Sequence, residues 1–448
     1  MDDEGATLNR CRPRSFAVAT LRASRAASRA ERAVQGLASP AMPAPHSDPA
    51  APGTALYVHF PYCVVKCTYC DFYSVPVERA DGQREDVDGV LDALLDEARL
   101  RAPKGPRTVF IGGGTPSLPS EAQIARFLDG LDAITGFRAS AVEVTAECNP
   151  ESLDANKAAA LLAGGVTRLS VGVQSLRQEV LELFGRAHDA DEGLRALAAA
   201  REGGATRLSA DLIYAAPGQT AAMWEEDLER VLAAAGGLEH LSAYNLTFEE
   251  GTRLEMLRRR GELGPLDEEV ELAMFDATAR LCAAAGLERY EVSNYARPGE
   301  ASAHNLVYWA NGAYVGLGPS AVSKVGAARF GNARSVNAWR AAVARAAADD
   351  GDPASIADWH EEPAPRARLG ESWWLGLRRV EGVDPAEARA AAGFDLEGDG
   401  GGDDPALPVA ERMVDQGLLE RAGARFRLTE RGRPLADGVA REFLALDP

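Results

Sequence analysis

Cysteine, histidine and methionine are scarce, six of each among 448 residues, and aromatic residues make up only 6%. Six cysteines in so long a chain do not make the disulfide framework of a small secreted protein. Thiols that cluster in such a chain point to a metal or to catalysis in a reducing, cytoplasmic setting. No apolar run reaches the ~18 residues of a membrane-spanning helix, so no span is expected. Positive charge is also short: 48 Lys and Arg face 67 Asp and Glu, for a net charge of −19. That balance disfavours nonspecific binding of nucleic acid and favours solubility. Lysine is rare beside arginine, and alanine is abundant. We read both as compositional bias without functional weight.

The chain exceeds what one hydrophobic core usually supports, so a large domain and a smaller one are expected. Its first fifty or so residues differ in kind. An Arg/Ala-rich stretch, "RCRPRSFAVATLRASRAASRAERAVQG", precedes the Pro-rich "SPAMPAPHSDPAAPG". A transit-type segment is one reading. A disordered tail, or a start upstream of a truer one at Met42, is the favoured reading, because no cleavage pattern is clear. Residues 1–52 are therefore set apart as an extension.

From Ala55 onward, short Val/Ile/Leu-rich runs alternate with amphipathic segments. Strands are expected at "ALYVHF" from Ala55, "TVFIG" from Thr108, "AVEVTA" from Ala141, "RLSVGVQ" from Arg168, "LSADLIY" from Leu208 and "HLSAYNL" from His240. Helical stretches such as "VDGVLDALLDEARL" lie between them. Such alternation predicts an α/β fold with a parallel sheet, here a partial (β/α)6 barrel rather than a full eight-unit one. This barrel and its extension are assigned to residues 53–349. Within them a helix capped by Asp267 is expected to bury Val270, Met274, Ala277 and Leu281 on one face. Residues 350–448 hold a polar connection and a small winged-helix-like domain: helix, hairpin across Ala422-Gly423, helix. "EGDGGGDD", Glu397 to Asp404, lacks the ligand spacing of a calcium loop and reads as a flexible connection.

The chemistry-bearing words follow the strands. "PYCVVKCTYC" follows the first, "GGGTP" the second, "ECNP" the third, "QS" the fourth and "YAAPG" the fifth. In parallel α/β barrels the C-terminal strand ends build the active site, so these words should meet in one cavity. Cys63, Cys67 and Cys70 have the spacing C-x3-C-x2-C. A structural zinc normally takes four ligands in paired spacings, and the second pair is missing. An iron–sulfur cubane held by three thiolates leaves one iron open. Spacing alone leaves both metals in play and favours the cluster. Cys282 is expected in the core, and Cys148, beside Glu147, near the cavity without a ligand role.

These residues resemble the radical S-adenosylmethionine superfamily, whose signature is C-x3-C-x2-C after the first barrel strand, often with an aromatic residue such as Tyr69 before the last cysteine. The resemblance implies a [4Fe-4S] cluster on Cys63, Cys67 and Cys70, with S-adenosylmethionine on its open iron. Within the superfamily the chain is similar to the coproporphyrinogen-dehydrogenase-like branch from about Ala55 to the C-terminus. That similarity implies cofactor contacts at Tyr57, Phe72, Gly113, Gly114, Thr115, Glu147, Gln174, Arg186 and Asp211. Singly, Glu147, Gln174, Arg186 and Asp211 each read better as a cap or a loop ion pair; together and in this order they carry the resemblance.

Two members of the branch compete. The dehydrogenase type decarboxylates two propionates of coproporphyrinogen III and carries a further cysteine two residues after the triad. Phe72 stands there in this chain, as in the heme-chaperone type, which binds heme and passes it to acceptor proteins. "HNLVYW", His304 to Trp309, also resembles a heme-associated element of that type. The resemblance implies heme contact by His304, Tyr308 and Trp309, with His304 as the candidate iron ligand. A core histidine among buried aromatics is the competing reading of the same residues. The expected partners are heme, a heme-acceptor protein and a flavodoxin- or ferredoxin-type electron donor. Enzymatic activity is left open, and a zinc-binding structural protein is the remaining alternative.

Overall fold

The computed structural model describes residues 54–78, 80–348, 352–399 and 401–446. The expected extension at residues 1–52 and the expected division at 349/350 lie outside them. Among the described residues no helix is long and apolar enough to cross a membrane.

The six expected strands form as β1 (Ala55–Phe60), β2 (Thr108–Gly113), β3 (Glu143–Cys148), β4 (Arg168–Gln174), β5 (Leu208–Tyr214) and β6 (His240–Asn245). Each lies parallel to the next. Nearly every residue of β4 is buried, the pattern of a parallel strand covered on both faces. Helices join the strands, and their ends follow local chemistry. Helix Glu121–Thr135 opens with a Ser120–Gln123 capping box and closes at Gly136, whose φ of 70° suits glycine.

The sheet is wider than the six units suggest, with twelve strands. Beyond β6 lie β7 (Glu288–Arg289) and β8 (Asn294–Ala296), with β8 antiparallel to β6. Beyond β1 lie β9 (Tyr314–Leu317), β10 (Val322–Val325), β11 (Ala328–Asn332) and β12 (Ala357–Glu361). Of these, β9 runs parallel to β1 and the others add antiparallel. Asp267 does stand at the N-cap of helix Glu268–Ala284, but its carboxylate makes no capping bond. Met274 and Ala277 are buried there with Cys282, while Val270 and Leu281 pack at the margin of the core.

A second apolar cluster gathers the C-terminal elements, with Trp373 stacked on Phe443 at 4.7 Å. It contains helix Ala406–Asp415, the hairpin Leu419–Ala422/Arg425–Leu428 and helix Ala436–Leu444. The hairpin turn falls on Gly423-Ala424, one residue later than expected, with Gly423 at a φ of 65°. A smaller cluster of Trp309, Trp374, Leu375 and Ala440 ties these elements to the "HNLVYW" helix, Ala303–Trp309.

Candidate functional site

The C-terminal ends of the parallel strands open on a single cleft of about 2280 Å³. Every expected site residue except Thr115 lines it, and so does Cys148. The cysteine loop is fastened at its base and its middle. Tyr62–Cys63 pairs with Val75–Pro76, and Val77 N donates to Cys63 O at 2.8 Å. Thr68 N donates to Phe184 O at 2.9 Å, while Tyr69 packs edge-on against Phe184 at 4.8 Å. The aromatic residue before the last cysteine thus anchors the loop to the barrel.

Among the described residues, no three or more His, Cys, Asp or Glu side chains gather as ligands of one metal ion. A cubane, bound through a different iron by each thiolate, does not need the three sulfurs to converge. Burial raises the Cys63 thiol pKa. Burial, then the neighbouring Cys67 and Cys63, pushes Cys70 up to about 12. Cationic iron would reverse this penalty, because metal-bound thiols are deprotonated. Arg186 supplies positive charge at the same place: Nη1 donates to Cys67 Sγ at 3.5 Å and Nη2 to Gly172 O at 2.9 Å. The triad and its surroundings therefore fit an iron–sulfur cluster.

Tyr57 and His59 project from one face of β1, as alternate strand residues do. The Tyr57 hydroxyl bonds His59 Nδ1 at 3.0 Å, and His59 Nε2 donates to Tyr73 O at 2.7 Å. Burial lowers the His59 pKa to about 4. A Cβ on Gly113 would meet the His59 ring at 2.5 Å, and one on Gly114 would meet Tyr62 O at 2.6 Å. The two glycines are thus required by the packing of β2 on β1, whatever ligand they face. Thr115 is buried behind them. Its hydroxyl reaches Cys63 and accepts from Asn149 Nδ2 at 2.9 Å. It backs the cysteine loop and does not line the cleft.

Glu147 and Asp211 bring two carboxylates to the floor of the cleft. Gly113 N donates to Glu147 Oε2 at 3.1 Å, and the Ser170 hydroxyl donates to Asp211 Oδ2 at 2.9 Å. Burial, then the charge of Asp211, pushes Glu147 up to about 7. Burial also raises Asp211. Gln174 has a left-handed φ of 64° at an irregularity between β4 and β5, a strained setting for a non-glycine residue. Phe72 is 46% exposed at the rim. A cationic, amino-bearing ligand suits this carboxylate floor, so the residues also fit S-adenosylmethionine.

The raised pKa of Glu147 has a testable sign. Its folded value, about 7, lies above the reference 4.5, so between the two the folded state holds the extra proton. Stability at this site is unaffected below about 4.5 and falls as pH rises to about 7, by at most about 3 kcal/mol. Glu147→Gln should therefore gain stability on the wild type between pH ~5 and ~8 in urea unfolding of the metal-free protein. Parallel profiles would show that Glu147 ionises without penalty.

The heme candidates divide. Tyr308 is partly exposed on the cleft wall, while Trp309 is buried, with the Arg378 guanidinium 4.8 Å above its ring. His304 is fully buried, and burial lowers its pKa to about 4. Residues that the sequence reading missed include His59 and Asn149. His59 was legible from the alternation in "YVHF". Asn149 accepts from Arg186 Nη2 at 3.0 Å and lies in the quoted word "ECNP".

Residues 57–231 match the model of the Radical SAM superfamily. The heme chaperone HemW of Mycobacterium tuberculosis is 35% identical over 395 residues, covering 87% of this chain and 94% of its own length. HemW of Bacillus subtilis is 32% identical over 394 residues, covering 87% and 98%. The solved coproporphyrinogen III oxidase HemN of Escherichia coli, a radical SAM enzyme, superposes with a TM-score of 0.71 at 22% identity. It covers 87% of this chain and 90% of its own. At that identity the likeness speaks for the fold alone. With the cysteine loop at the strand ends and the match along nearly its whole described length, the chain belongs to the radical S-adenosylmethionine superfamily and, within it, to the HemW family.

Proposed function

We propose that the chain is a cytoplasmic heme chaperone that binds heme and transfers it to an acceptor protein. It would carry a [4Fe-4S] cluster on Cys63, Cys67 and Cys70 and bind S-adenosylmethionine along the cleft. The observation that carries this reading is the similarity to HemW proteins over 87% of the chain. Phe72, in place of a further cysteine, agrees with it. When bound, the cluster would supply redox chemistry at an open iron, reduced by a flavodoxin- or ferredoxin-type donor. Arg186 would hold Cys67, and Thr115 would hold Cys63. Tyr57, Phe72, Gly113, Gly114, Glu147, Gln174 and Asp211 would line the S-adenosylmethionine site. We assign these roles to the unit spanning 53–349, with the small C-terminal domain covering 350–448.

The test is a hemin titration of the anaerobically reconstituted full chain beside a coproporphyrinogen III conversion assay. Stoichiometric hemin binding without conversion is expected. Robust conversion to protoporphyrinogen without hemin binding would overturn the proposal in favour of the dehydrogenase. One zinc per chain, with neither iron nor acid-labile sulfide, would replace both with the zinc-binding reading.

A further inference from the structure

The strands added beyond β1 give the cleft a second polar wall. Tyr314 on β9, Lys324 on β10, Arg329 on β11 and Glu361 on β12 stand in register across the sheet, and all four line the cleft. Arg329 holds both nearby carboxylates, with Nε 2.8 Å from Glu361 Oε1 and Nη2 2.8 Å from Glu371 Oε1. Lys324 is only 8% exposed, yet it forms no ion pair among the described residues; its Nζ donates to Asn311 O. Asn311 has a left-handed φ of 55°, strained for a non-glycine residue, and its Nδ2 is tied to Ser372 Oγ at 2.9 Å. The ammonium is thus fixed in place while most of its donor capacity is unused. Burial lowers its pKa to about 8 against the pull of Glu371, because a buried charge without a direct counter-ion is costly. Arg368, on helix Pro365–Gly376, is a third cation nearby and bonds the carbonyl oxygens of Ala392 and Pro363. Lys324, Arg329 and Arg368 therefore face Glu361 and Glu371, three cations against two carboxylates. The neighbouring row is apolar. Val322 pairs with Gly331 and Gly331 with Trp359, and both Val322 and Trp359 line the cleft. A Cβ on Gly331 would lie 2.4 Å from the indole, so only glycine lets the Trp359 ring lie over β11.

We propose that this wall binds the tetrapyrrole, with Lys324 Nζ pairing a propionate of heme and the Trp359 indole packing on the macrocycle. This rests on the heme-binding reading above. A buried ammonium beside an indole recognises a planar apolar ring that bears carboxylates. The propionate would supply the counter-ion that the sheet withholds from Lys324, and no existing ion pair would have to break. Tyr314 joins this wall to the "HNLVYW" helix, since its ring meets Tyr308 edge-on at 4.7 Å. S-adenosylmethionine also carries a carboxylate. Its proposed floor, Glu147 and Asp211, lies on β3 and β5, on the other side of β1 from β10.

Absorption titration of the reconstituted full chain with hemin and with hemin dimethyl ester, whose propionates are masked, tests this. The unmodified chain should bind hemin at least about tenfold more tightly than the ester. Lys324→Gln, which keeps a donor for Asn311 O, should lose that preference by weakening for hemin alone. Its affinity for S-adenosylmethionine should be unchanged. Trp359→Ala should weaken hemin and ester alike. Equal affinity of the unmodified chain for both ligands, which needs no variant, would overturn the inference and leave the chaperone reading standing. So would a preference that survives Lys324→Gln, or Trp359→Ala binding both ligands as before. A loss in Lys324→Gln confined to S-adenosylmethionine would overturn it too, by giving the ammonium to that carboxylate. Failure of the unmodified chain to bind either hemin or its ester would overturn the heme-binding reading itself.

Discussion

Cys67→Ala is expected to strip the bound iron from the reconstituted protein. About four irons and four sulfides per chain should fall to near zero, because two thiolates cannot hold a cubane whose fourth iron already lacks a protein ligand. Cys67 carries a further consequence. Its sulfur is 3.5 Å from Arg186 Nη1, and Arg186 also bonds Asn149 and Gly172. Burial opposes the guanidinium's charge, but Tyr69 and Cys67 outweigh it and raise the Arg186 pKa. Removing the sulfur therefore takes one partner from the guanidinium that ties the cysteine loop to Asn149 and Gly172. Cys148→Ala and Cys282→Ala are the controls. Cys148 is buried at the end of β3, its thiol pushed up to about 12 by burial, and Cys282 is buried in the core. Both variants should keep full iron and sulfide. Full iron in Cys67→Ala would show that the triad is not the metal site.

The inner sheet was legible because its strands are buried runs bounded by polar words. For β1, β4 and β5 even the ends agree, at Ala55–Phe60, Arg168–Gln174 and Leu208–Tyr214. The outer strands were not. They are short, and β9 sits beside β1 although more than 250 residues separate Leu317 from Phe60. No local pattern signals such a pairing, which depends on closure of a long loop. The site divides in the same way. The cysteine spacing, and the placement of Glu147 and Asp211 after or within strands, follow from local order. The state of His304 does not, since its partners Thr108 and Glu143 come from two distant strands. A histidine in a motif looks available until those partners are known. The left-handed Gln174 was also invisible, because the irregularity arises from its register with β5.

Glu97→Ala is expected to lower the unfolding free energy by about 3–5 kcal/mol, the usual effect of removing one partner from a buried ion pair. Glu97 lies on helix Val87–Arg101, fully buried, and pairs with Arg101 one turn on. Its Oε2 accepts from Gly318 N at 2.7 Å and Trp339 Nε1 at 2.8 Å, and its Oε1 accepts from Asn332 Nδ2 at 2.8 Å. Arg101 Nη2 in turn donates to Gly316 O at 2.7 Å and Asn332 Oδ1 at 2.8 Å. One carboxylate thus joins a barrel helix to the residue that follows β9, to β11 and to helix Val336–Ala347. Alanine would leave the guanidinium, an indole N–H and a backbone N–H buried without this acceptor. Glu97→Gln should lose less, because its carbonyl oxygen still accepts from the donors on one side. The loss should reach the cleft. Gly318 packs so closely on β1 that a Cβ would lie 2.3 Å from His59 O, and His59 holds Tyr57. Urea unfolding measures the energy. Iron retention of the reconstituted variant measures whether the strain reaches the cysteine loop. A loss below about 1 kcal/mol would mean that water replaces the carboxylate, and that β9 is held by its pairing with β1 and β10 without it.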